Sequence, residues 1–67
     1  MTPAQIKALR LDFDMTHAQF GRVIGVEWRS VYRWEDGSRI PGEPALRLLE
    51  MLKRGEMPVR YLEMRDE

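Results

Sequence analysis

Apolar side chains return at Ile6, Leu9 and Phe13, a three- and four-residue spacing that places them on one stripe of an α-helix, with Lys7 and Arg10 flanking it. Thr2-Pro3-Ala4-Gln5 supplies the start: a hydroxyl at the N-cap, a proline at the first helical position where no N–H is missed, and a glutamine three residues on that reaches back. The pattern predicts a first helix through roughly Asp12. The same grammar recurs at Thr16-His17-Ala18-Gln19, where Met15 and Phe20 hold the two positions of a hydrophobic staple. A second, short helix should bury Phe20 and Val23 or Ile24, keep the small Gly21 between them, and turn sharply at Gly25.

Val26 resumes the apolar pattern, Val31 and Trp34 follow at helical spacing, and Asp36-Gly37 is a stop signal, so a third helix is expected over roughly Glu27 to Glu35. Ser38-Arg39-Ile40-Pro41-Gly42 has loop composition. Glu43 and Pro44 then suit the first turn of a fourth helix that buries Ala45, Leu48, Leu49 and Leu52 and closes at Gly55. Pro58 offers a start for a last helix through Val59, Tyr61, Leu62 and Met64. No repeat appears and helix start and stop signals punctuate the chain, so the reading is all-α: a compact four- to five-helix bundle in a single domain over 1–67.

Sixty-seven residues, 43% hydrophobic and 33% charged, fit one small folded core. The absence of cysteine removes disulfides and thiolate metal sites, and leaves dimerisation as one way to support so small a domain. Apolar runs are no longer than pairs, and the N-terminus lacks the basic and apolar regions of a signal peptide, so a soluble cytoplasmic protein is expected, with no membrane partner. The 11 basic and 11 acidic residues cancel, so any nucleic-acid-binding surface must arise from placement. One histidine, no glycine-rich phosphate loop and no metal-ligand cluster argue against an enzyme; no cofactor, metal or small-molecule ligand is expected. Asp12 and Asp14 read as solvated charges near a helix end.

Two short helices about a Gly25-centred turn describe a helix-turn-helix. The stretch from Met15 to Val26, continuing into Ser30-Val31-Tyr32-Arg33-Trp34-Glu35-Asp36-Gly37 and Pro41, resembles the Cro/CI (XRE-type) family of phage and bacterial DNA-binding regulators. The resemblance covers about Thr2 to Leu52. It implies a lambda-repressor-like domain whose third helix enters the major groove, with base contacts from the positions of Trp28, Arg29 and Arg33, and with Tyr32 against backbone or a thymine methyl. Two arginines four residues apart share one face and suit guanine O6 and N7. Trp28 stands where a polar residue is usual, and suits thymine methyls, sugars or a protein surface. His17 stands where the family has glutamine, at a helix start that suits a phosphate. Arg22, Ser30, Arg39 and the backbone after Gly37 complete the implied phosphate contacts, and Arg10 with Glu35 matches a structural pair of the family.

The implied function is a homodimeric autorepressor of a phage or mobile-element operon, including the small regulators that accompany anti-CRISPR genes, reading a double-stranded operator with dyad symmetry. Segment 56–67, through Val59, Tyr61 and Leu62, either completes the core or forms the dimer contact. Outside such a motif, Arg29 and Arg33 would be ordinary solvated surface. The alternative is an antitoxin or protein-interaction module on the same scaffold, motivated by zero net charge and by Trp28 and Tyr32; across Thr16 to Pro41, Arg22, Arg29, Arg33 and Arg39 outnumber Glu27, Glu35 and Asp36 by only one.

Overall fold

The computed structural model describes residues 1–56; the expected helix from Pro58 and the positions Val59, Tyr61 and Leu62 lie outside the described residues. Four helices follow in order: α1 (Pro3–Asp12), α2 (His17–Ile24), α3 (Trp28–Asp36) and α4 (Glu43–Lys53), and no strand occurs among the described residues. The all-α architecture is therefore as the periodicity predicts. The third helix begins and ends one residue later than expected, because Glu27 is extended (φ −74°, ψ 158°) and serves as its N-cap.

Both predicted capping boxes are formed. Thr2 Oγ1 accepts from the Gln5 amide at 3.1 Å while Gln5 Oε1 accepts from the Thr2 amide at 2.9 Å, and Thr16 and Gln19 repeat the arrangement at the same distances. These bonds satisfy amide donors that the first helical turn leaves without partners. The C-terminal ends are also locked. Asp14 takes a left-handed conformation (φ 55°) just past α1, so that its amide reaches Leu11 O and the Met15 amide reaches Arg10 O. Gly55 (φ 85°) does the same after α4, with the amides of Gly55 and Glu56 donating to Leu52 and Met51.

Ile6 and Leu9 of α1, Phe20, Val23 and Ile24 of α2, Val31 and Trp34 of α3, and Leu49 and Leu52 of α4 form the buried core, so every helix contributes. Met15 and Val26 pack against it from the two ends of α2. At about 1.5–3 kcal/mol per fully buried large apolar side chain, these contacts supply the main driving force that opposes chain entropy.

The turn between α2 and α3 is set by two glycines for different reasons. Gly25 has φ 97°, a region that side chains rarely adopt, and its amide and that of Val26 both donate to Gly21 O, at 2.7 and 2.8 Å. Gly21 is needed for space: a Cβ there would sit 2.6 Å from the carbonyl oxygen of Val26. This close approach folds the start of α3 back onto α2.

Candidate nucleic-acid interface

Val31 and Trp34 turn one side of α3 into the core, which leaves Trp28, Arg29, Tyr32 and Arg33 on the solvent side. Trp28 and Tyr32 are each about half exposed, an uncommon placement for large rings with no core to join. They stand four residues apart and meet edge-on, with centroids 6.3 Å apart and planes at 76°. Tyr32 in turn lies 5.8 Å from the His17 ring, so an aromatic row runs from the start of α3 to the start of α2. Beside it runs a second row, Arg29 and Arg33. The Arg29 guanidinium carbon is 5.6 Å from the Trp28 ring centroid, within cation–π range. Both arginines, both rings, Asp36 and Ser38 line one shallow depression of about 400 Å³.

Behind this face, Glu35 joins three elements. The Arg10 guanidinium donates to it twice, from Nε to Oε2 at 2.7 Å and from Nη2 to Oε1 at 3.1 Å, and its Nη1 donates to Met15 O at 2.9 Å. His17 Nε2 lies 3.2 Å from the same Oε1. The Arg10 and Glu35 side chains are almost fully covered, at 9% and 7% exposure, so their pairing is a structural clamp of α1 on α3. Arg10, a flanking residue by spacing, is thus a buried one. With Nε2–H given to Glu35, a neutral His17 ring presents only a lone pair at Nδ1; a second donor toward a phosphate requires the imidazolium or the backbone N–H.

The clamp also changes the charge count. Glu35 is covered and paired, so the exposed acids between Thr16 and Pro41 are Glu27 and Asp36, against the exposed Arg22, Arg29, Arg33 and Arg39. No carboxylate of the described residues lies in salt-bridge range of Arg29, Arg33 or Arg39. Asp36 is exposed and bonded within its own loop: hydrogen bonds from the Ser38 side chain and backbone, and then the Arg33 charge, hold its carboxyl below the ordinary value, with Ser38 N 2.8 Å from Oδ1.

The remaining positions surround α3. Ser30 is half-buried near the start of α3, Arg22 is exposed in the last turn of α2, and Arg39 is exposed in the following loop, whose amide donates to Arg33 O at 3.2 Å. Next to Arg39, Ile40 is 87% exposed at the lip of a crevice of about 400 Å³ between the turn and α4, where Ile24, Val26, Ala45 and Leu48 meet Ser30, Arg33 and Arg39. Spacing had not revealed the link from His17 to Glu35, nor the stacking of Arg29 on Trp28. The four-residue interval between Trp28 and Tyr32 is the signal that announces the aromatic row.

No family model matches the chain. Over 54 residues it is 30% identical to the antitoxin HigA-2 of Vibrio cholerae serotype O1, an alignment that covers 81% of this chain and 52% of that relative. The chain thus spans about half the length of the curated relative it matches. The likeness accompanies the helix-turn-helix geometry of α2 and α3 about Gly25, and does not single out the Cro/CI branch.

Proposed function

We propose that the protein is a sequence-specific double-stranded DNA-binding transcriptional regulator, acting as a homodimeric autorepressor of a phage or mobile-element operon. The observation that carries this reading is the outer side of α3, where Arg29 and Arg33 stand side by side, exposed and without ion-pair partners among the described residues. A helix of this width fits the major groove, and arginine forks match guanine O6 and N7. His17, Arg22, Ser30 and Arg39 flank α3 and would hold the phosphates, which fixes register without specifying sequence. Two copies would place their α3 helices about one turn of DNA apart on an inverted repeat.

The test is binding to the DNA upstream of its own gene. Each well-formed arginine–guanine pair contributes about 1–3 kcal/mol, so the double variant Arg29→Ala, Arg33→Ala should lose roughly thirtyfold or more. Unchanged affinity in that variant removes α3 as the reading element, and a footprint without dyad symmetry removes the homodimer.

The likeness to an antitoxin favours a second reading, in which the same scaffold masks a protein. Ile40 and the crevice beside it, which shares Ser30, Arg33 and Arg39 with the α3 face, offer such a partner an apolar surface. Salt separates the two: phosphate contacts lose affinity steeply as salt rises, whereas an interface built on apolar contacts does not.

A further inference from the structure

We propose that Trp28 reads the C5-methyl group of a pyrimidine in the major groove, so that thymine methyls belong to the recognised sequence beside the guanines taken by Arg29 and Arg33. The inference rests on the DNA-binding reading above and specifies its chemistry. The aromatic row and the arginine row are adjacent stripes of one helix, each with a four-residue interval. Because the stripes are adjacent, a pose that brings the arginines to the groove floor carries Trp28 into the same groove. The floor presents hydrogen-bonding edges and one kind of apolar group, the C5-methyl. An indole has a single donor and no acceptor, so against polar edges it covers groups it cannot satisfy, while against a methyl it gains apolar contact.

Position and orientation agree with this role. Trp28 is the first residue of α3, and the N-terminal residues of a recognition helix are those that meet base edges. Tyr32 lies about 6 Å further along the axis, at the usual rise per residue, and supports the indole edge-on from below. The Arg29 guanidinium already rests over the indole, so cation and ring arrive as one unit. That unit suits a guanine with a methyl-bearing pyrimidine as its neighbour. The arginines also commit the occupant: a duplex carries negative charge along both walls of its groove, and two guanidiniums against the one carboxylate of Asp36 line the depression with the two rings.

The experiment selects binding sites from a random double-stranded library with the full chain, then compares the enriched site with a copy in which deoxyuridine replaces thymidine. Removing the methyls should weaken binding by the wild-type protein roughly fourfold per contacted methyl, the equivalent of returning one such group to water. Trp28→Ala should show a similar loss on the thymidine site and no further loss on the deoxyuridine site. Equal wild-type affinity for the two sites overturns the methyl reading while leaving the Arg29 and Arg33 test intact. A Trp28→Ala protein that keeps its helical circular dichroism and binds the enriched site like wild type also overturns it, and marks the indole as a surface for protein. Selection that enriches no sequence removes the DNA reading and this one with it.

Discussion

Replacing Gly21 with alanine tests what fixes the angle between α2 and α3. On helix preference alone the change should stabilise, because alanine exceeds glycine by about 1 kcal/mol in a helix interior. The surroundings oppose it. The new Cβ would lie 2.6 Å from Val26 O, a backbone atom that cannot swing away as a side chain does. To make room the turn must retreat from α2, and the two hydrogen bonds that Gly21 O accepts from Gly25 and Val26 must lengthen. Overpacking typically costs about 1–3 kcal/mol and each weakened bond up to about 1 kcal/mol more, so a net loss of about 1–3 kcal/mol remains after the helix gain. A domain of this size has a total stability of roughly 3–10 kcal/mol, and each kcal/mol moves its melting temperature by about 4–8 °C. Thermal unfolding followed by far-ultraviolet circular dichroism should therefore show a drop of roughly 5–20 °C. Gly42→Ser is the control: nothing lies within 4 Å of a Cβ there, φ is −67°, and a serine at this N-cap should hold the melting temperature or raise it slightly. A Gly21→Ala protein that melts at or above the wild-type temperature would show that the turn has slack, and the account of Gly21 as the closing point would be wrong.

Glu35→Ala leaves the covered Arg10 guanidinium without its carboxylate, and urea titration should show a loss of about 3–5 kcal/mol, enough to leave the domain partly unfolded at 37 °C. Glu27→Ser gives α3 the side-chain N-cap bond it lacks and removes one of the two exposed acids near the arginines; a rise of about 0.5–1 kcal/mol in stability should accompany tighter DNA binding. Asp14→Gly relieves a left-handed non-glycine residue in the C-terminal cap of α1, and calorimetry should record a gain of a few degrees. Asp36 has a depressed folded value, so its contribution is present above the unfolded value near 3.9 and fades as pH falls through the lower folded one. Stability curves of wild type and Asp36→Asn should accordingly differ at neutral pH and converge under acid.

Local signals carried most of the fold. Threonine-led capping boxes, prolines at first helical positions and glycines past helix ends act within a few residues, so α1, α2 and α4 are legible from composition and spacing. Asp14 was harder, because an aspartate near a helix end serves equally as a solvated charge or a left-handed cap, and only the backbone distinguishes them. Burial of Arg10 depends on a carboxylate 25 residues away, a non-local fact that periodicity does not contain; the family resemblance supplied the pair, but not the third member, His17. The α3 face is legible as four outward residues at two four-residue intervals, while the contacts of ring with ring and of Arg29 with Trp28 depend on side-chain positions.

Sequestering Glu35 with Arg10 has an effect at range. The chain as a whole carries as many cations as anions, so beyond the Debye length of about 8 Å at physiological salt it presents almost no monopole to a polyanion or to another copy of itself. Its arginine ridge is felt only in the last few ångströms. Such a particle is not drawn onto a polyanion from afar, and two copies approach one another without mutual repulsion. Discrimination is then left to the final contact, where shape and donor geometry decide.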